Sequence, residues 1–377
     1  MRKPAILVAL LVVLSGAIVG GVALADDPDG DLQQVRDLLA QADALIAAEQ
    51  VKPPVTVTQT QTVTETVTET VTAPPSSTTP PPTTPPPPTT TTLPPAPAGF
   101  PSRAEALARP GGVVLTGTRT TQFKPAAATA VTYDLRGLTS TAYPFSSSFP
   151  IVIEGTDNVV MGATVLGQQG RNLTWAQTHD PFGGSGIRLL NVSGYGVSYD
   201  ARIDNVVDGI DALPPSSGAG KFLIEGAYMT WIRDDAVEDD TEFSGTIRDV
   251  LVDGVNNALS IGQSSKNPSS VVDVENVIFI HAPMPNDRAA DGVGHQTLFK
   301  QLPGGRVNLT NVTDCLYENP ITPSRIAIRP TGTWTNVTFV LGPGWVGANP
   351  TVPAGATVSR DWQGLCLNAR DAWLAAH

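Results

Sequence analysis

Residues 276–280 read NVIFI, residues 311–315 read NVTDC and residues 336–340 read NVTFV. In each, an asparagine followed by valine opens a short apolar, β-branched run, the composition of a strand. The same Asn-Val or Asp-Val opening recurs at Asn158, Asn191, Asn205 and Asp249. Several intervals are near two dozen residues or a small multiple of that, and the longer ones contain insertions. Asparagine suits a corner because it tolerates left-handed backbone and hydrogen-bonds to its neighbours. Strands starting near Ile187, Phe222, Ile247, Val271 and Val307 keep the same beat. A repeat of this length with several short strands per turn predicts an all-β solenoid, a parallel β-helix, in which each coil buries its inward residues by stacking on the next. A leucine-rich repeat would need a regular leucine pattern, which the chain lacks, and a β-sandwich would leave the spaced corners unexplained.

Outside this region the chain of 377 residues changes character. Residues 1–25 begin with Arg2 and Lys3, continue apolar, and end on Ala23-Leu24-Ala25. That is the order of a secretory signal cleaved after Ala25, and the apolar run is also long enough to be an uncleaved membrane anchor. Residues 26–50 place Leu32, Val35, Leu38, Leu39, Leu45 and Ile46 at helical spacing, one amphipathic helix whose apolar stripe calls for self-association or a partner. Residues 51–99 are threonine and proline with almost nothing to bury, a disordered, extended stalk. Residues 100–377 form the β-rich head with a C-terminal cap. A stalk between an exported start and a head predicts a secreted or surface-displayed protein. A net charge of -12 speaks against a nucleic-acid partner.

Within the head, VVDGIDAL supplies Asp208-Gly209-Ile210-Asp211, RDDAVE supplies Asp234-Asp235, NNALSIGQ supplies Leu259-Ser260-Ile261-Gly262, and LFKQ supplies Lys300. In this order the motifs resemble those of the pectin-lyase-like right-handed parallel β-helix superfamily, and their layout is similar to that of polygalacturonases. Asn257 stands where that family has histidine, and Leu298 where it has arginine. The resemblance implies a right-handed β-helix with a carbohydrate-facing groove bearing Asp208, Asp234 and Asp235. The two departures argue against efficient cleavage of an acidic sugar chain.

The chemistry of the residues points the same way. Residues 230–240, TWIRDDAVEDD, place five carboxylates directly after Trp231, Ile232 and Arg233. Crowded carboxylates raise one another's proton affinity, so such a run needs cations, protons or open water. Asp208 on one coil and Asp234 or Asp235 on the next could straddle the roughly 6.5–9.5 Å gap of an inverting glycosidase. In a lyase reading Asp234, Asp235, Glu238, Asp239 and Asp240 bind Ca2+, and Lys266, Lys300 or Arg325 handles a proton. His295, in a long insertion, reaches over the groove as a general acid or base. Trp231, Asn257, Lys266 and Arg325 are the expected substrate contacts, and a polysaccharide or cell-surface glycan the expected partner. A solvated acidic corner explains the same run, and a non-catalytic receptor-binding module of adhesin or viral tail type explains the damaged motifs. Cys315 and Cys366, the two cysteines, are expected to join and fold the tail over an open sheet edge, or to remain buried thiols.

Overall fold

The computed structural model describes residues 95–141, 149–179, 184–213 and 220–377. The expected signal or anchor, the helix at 26–50 and the stalk up to residue 94 lie outside the described residues. Among the described residues no helix is long and apolar enough to cross a membrane.

The strands are β1 (Val113–Arg119), β2 (Ala128–Thr129), β3 (Thr132–Ser140), β4 (Ile151–Met161), β5 (Thr164–Leu166), β6 (Ile187–Tyr199), β7 (Arg202–Asp204), β8 (Ile210–Leu213) and β9 (Lys221–Glu225). They continue with β10 (Tyr228–Asp239), β11 (Ser244–Ile261), β12 (Val271–His281), β13 (Met284–Pro285), β14 (Val293–Gly294), β15 (Arg306–Glu318), β16 (Trp334–Gly344) and β17 (Ala356–Ser359). Helices are α1 (Arg103–Leu107), α2 (Trp175–His179) and α3 (Ala369–Ala376). Fifteen strands form one long sheet, whose successive neighbours β10, β11, β12, β15, β16 and β17 all pair parallel. Among the described residues only β13 and β14 pair antiparallel, in a sheet of their own.

Parallel register stacks like residues into rows. Phe123, Ile151, Ile187, Ile210, Val237, Leu259 and Phe299 pair one to the next, and Val250, Val277, Val312 and Val337 form a second row. All belong to one buried apolar cluster. Rows of β-branched and aromatic side chains across parallel strands bury apolar surface with every neighbour. Asp314 interrupts a third row between Phe279 and Phe339. It is fully buried, and His281 Nε2 lies 2.8 Å from its Oδ1.

The long strands turn where the sequence places asparagine or aspartate. Asn205, Asp249, Asn276, Asn311 and Asn336 all adopt left-handed backbone, φ 52–59°. Asn336 Nδ2 donates to Asn311 Oδ1 at 3.0 Å and Asn311 Nδ2 to Asn276 Oδ1 at 2.8 Å, an amide ladder along one corner. At Asn158 the left-handed residue is the preceding Asp157 instead, and the Asn158 amide bonds the backbone of Ala128, Val131 and Glu154.

Both helices at the ends of the described chain lie on the sheet's outer face. Ala106 of α1 packs with Val159, Met161, Val197, Tyr199 and Leu223. Trp373 of α3 packs with Leu251, Ile280, Cys315 and Val340, and its Nε1 donates to Asp249. The C-terminal helix therefore covers a flank across β11, β12, β15 and β16, not the open edge at β17 as the tail's position in sequence suggests. Alternation explains this: Val250 and Val252 point into the core, while Leu251 points outward and needs cover. Cys315 and Cys366 are joined, so no thiol remains. Residues before Phe100 also bond the β-rich region: Arg248 donates to Pro95 O at 2.9 Å and Lys221 to Ala98 O at 3.2 Å.

Candidate functional site: a buried acid cluster

Three adjacent strands bring the site together. Asp208 precedes β8, Asp234 and Asp235 lie in β10, and Asn257 lies opposite Asp235 in β11. Beyond β11, Leu259 bridges to Phe299, and Lys300 N donates to Leu259 O at 3.0 Å. The glycine of the Asp-Gly pair is required by the next strand: a Cβ on Gly209 would lie 2.4 Å from Ala236 O and 2.5 Å from Met229 Sδ. Gly186 is held likewise, with Gly209 O 2.3 Å from where its Cβ would be.

One carboxylate oxygen from each of Asp208, Asp234 and Asp235 lies within 4.8 Å of the other two. Asp208 is 8 % exposed, Asp234 1 % and Asp235 fully buried. This overturns the solvated-corner expectation for these acids. It also falls short of the roughly 6.5–9.5 Å gap of an inverting pair. Lys300 Nζ lies 2.8 Å from Asp235 Oδ2 and 3.3 Å from Asp234 Oδ2. Asn257 Nδ2 donates to Asp234 Oδ1 at 3.0 Å, and Arg325 Nη1 to Asn257 Oδ1 at 3.2 Å. Ser185 Oγ donates to Asp208 Oδ2 at 2.7 Å. Burial, then Asp234 beside it, pushes the Asp208 carboxyl up to about 6. The same two causes hold Asp235 well above the usual carboxylate range. Burial works to lower the Lys300 pKa, but Asp235 and Asp234 outweigh it and hold the ammonium above the usual lysine range.

Two insertions border the cluster. His179 Nε2 of α2 lies 3.7 Å from Asp234 Oδ2, and its ring stacks on Trp175 at 4.1 Å. The Arg288 guanidinium lies 3.4 Å over the Trp175 ring, and Asp287 Oδ1 accepts from Ala176 N at 2.8 Å. Arg233 ties the first insertion to β10 by donating to Leu173 O at 2.8 Å and Gly170 O at 2.7 Å. Arg288 and Arg233 carry no local sequence signal of a role here. Ser185 is legible only through register, 23 residues before Asp208.

Of the residues singled out in the sequence, Asp208, Asp234, Asp235, Lys300, Asn257 and Arg325 meet. The others do not. His295 is fully buried, its Nδ1 2.7 Å from Gln296 O and its Nε2 accepting from Glu318 N at 3.2 Å. Burial, then the neighbouring His281, lowers its pKa to about 3, so it is a neutral core residue and not an acid–base group reaching over a groove. Lys266 donates to Leu302 O, away from the acids. Trp231 sits at a left-handed turn, φ 52°, with the Arg171 guanidinium 5.2 Å over its ring. Asp239 accepts from Phe243 N at 2.6 Å in a turn. Glu238 belongs to the next row, opposite Asp211 and Ser260; burial, then Asp208 and Asp235, pushes it up to about 11. Glu238 and Asp239 thus do not form the expected calcium site. Among the described residues the set able to hold a cation is Asp208, Asp234 and Asp235. The Lys300 ammonium already bonds two of these, and Ca2+ prefers six to eight oxygens, so the donor set does not fit it.

Comparison of the chain with protein-family models, curated proteins and solved structures finds no match.

Proposed function

We propose that the head is a right-handed parallel β-helix of the pectin-lyase-like kind, displayed outside the cytoplasm, that binds a polysaccharide and cleaves it by proton transfer at Asp208. Strand pairing with partners 22 to 40 residues on, and the asparagine ladder, support the solenoid. The disulfide fits an oxidising compartment. One observation carries the activity: a coupled acid trio backed by a lysine, in which Asp208 is the least buried member. With its pKa near 6, Asp208 is protonated in mildly acidic solution and donates to the glycosidic oxygen as the bond to the anomeric carbon breaks. Water adds to that carbon and gives a proton back to the Asp208 carboxylate, which restores the acid. Asp234 and Lys300 act through Asp208: the lysine's charge holds the Asp208 pKa down, and Asp234 holds it up.

The test is release of new reducing ends from a panel of soluble polysaccharides. Wild type is expected to cleave at least one, with activity falling above about pH 6, and Asp208→Asn to lose about 100-fold or more. Lys300→Met, if it folds, moves the alkaline limb to higher pH, because the charge that lowers the Asp208 pKa is gone. No cleavage of any polysaccharide rejects the enzyme reading.

A second reading, a non-catalytic receptor-binding module, draws on the near-complete burial of Asp234 and Asp235. Glycan binding without turnover, insensitive to Asp208→Asn, would favour it.

A further inference from the structure

We propose that the cleft between the end of β16 and the C-terminal tail binds a neutral pyranose unit of a glycan, at a site separate from the acid cluster. The cleft encloses about 450 Å³ and is lined by Gly342, Trp345, Arg360, Asp361, Trp362 and Gln363 among others. That lies within the roughly 300–1,000 Å³ of small-ligand sites.

The disulfide builds it. Tyr317 follows Cys315 by two residues and Trp362 precedes Cys366 by four, so the crosslink sets the two rings edge to face at 5.8 Å. Gly342 makes room, since a Cβ there would lie 2.6 Å from Tyr317 O and 2.9 Å from Trp362 Cε3. Trp345 is held by its Nε1 donating to Ala348 O at 3.2 Å. Arg360 is anchored by Nε to Asn349 Oδ1 at 3.1 Å and Nη2 to Gly347 O at 3.0 Å. Asp361 Oδ1 accepts from Gly364 N at 2.9 Å, and Gln363 Nε2 donates to Asn368 Oδ1 at 2.9 Å.

Each polar side chain therefore spends one end on positioning itself. Arg360 Nη1, Asp361 Oδ2, Gln363 Oε1 and Trp362 Nε1 bond none of the described residues. Two donors and two acceptors beside half-buried indoles match a pyranose, which has an apolar C–H face and hydroxyls that both give and accept hydrogen bonds. One cation beside one anion favours a neutral sugar over a charged one.

The full chain is run in native gels containing soluble neutral glycans: a glucan, a galactan, a mannan and a xylan. At least one is expected to retard it, with Trp362→Ala weakening the apparent Kd tenfold or more and Trp362→Phe retaining part of the binding. A thiol count and a melting curve check that Trp362→Ala keeps its disulfide and fold, and Gln363→Ala, on an exposed side chain, gives a second and milder loss. No retardation by any of the four overturns the proposal. So does retardation that survives Trp362→Ala and is lost in Asp208→Asn, which assigns the sugar to the acid cluster. Binding of a proline-rich peptide at Trp362 without glycan binding also overturns it. Because cleavage is read separately as reducing ends, failure of this site and failure of the acid-cluster activity are told apart.

Discussion

Asp208 couples the site to the stability of the head. Its carboxyl titrates near 3.8 when unfolded and near 6 when folded. A folded pKa above the unfolded one means its favourable contribution is complete below about pH 3.8 and is lost as pH rises through about 6. Asp208→Asn, which mimics the neutral acid, is therefore expected to gain on wild type by about 2 kcal/mol in unfolding free energy between pH 4 and pH 8. Urea titrations at the two pH values check this, and a difference that shrinks as pH rises would contradict it. At this scale the sequence is partly legible. Asp208, Asp234, Asp235 and Lys300 stand out because carboxylates crowd together and need a cation. Their burial is not legible, because it depends on insertions whose only link to the acids is three-dimensional, Trp175 to Arg288 and His179 to Asp234. His295 misleads for the same reason: a histidine among glycines reads as a surface loop, yet its backbone neighbours enclose it.

The corners are where sequence and element agree most closely. A left-handed residue in a sheet corner excludes β-branched side chains, and a stacked amide satisfies the neighbour above and below, so asparagine recurs by physical necessity. Asn311 sits between Asn276 and Asn336 in the ladder. Asn311→Ala should cost about 2 kcal/mol, the sum of two exposed amide bonds and the left-handed backbone penalty. Asn311→Gly should cost about half as much, since glycine removes only the backbone part of the loss. Thermal denaturation of the pair checks the order, and an equal loss in both would assign the whole effect to the ladder. The exception at Asn158 shows the limit of the pattern. There the turn falls one residue earlier, at Asp157, and the asparagine is used to tie down neighbouring backbone.

For the whole head, the boundary and the crosslink are the testable features. A chain beginning at Pro95 should unfold cooperatively with the midpoint of the full-length protein. One beginning at Phe100 loses the acceptors of Arg248 and Lys221 and should be about 2 kcal/mol less stable by urea denaturation. The five extra residues are invisible in composition, because Pro95 and Ala98 contribute only backbone carbonyls. Reduction of Cys315–Cys366, whose sequence separation is 51, should remove about 4 kcal/mol by the loop-entropy estimate. Denaturation with and without reductant measures it. The pairing is legible because the chain has just two cysteines. The course of the tail does not, since its place on the flank is set by which residues of β11, β12, β15 and β16 alternate outward.

That placement leaves β17 as the last strand of the sheet, paired on one side only, with β16. Its four residues, Ala356, Thr357, Val358 and Ser359, are too few and too polar to seed growth of a second sheet, and Pro350 and Pro353 stand just before them. The molecule thus resists end-to-end polymerisation by keeping its terminal template short instead of hiding it. Lengthening or greasing that strand would remove this protection and favour growth into a fibre.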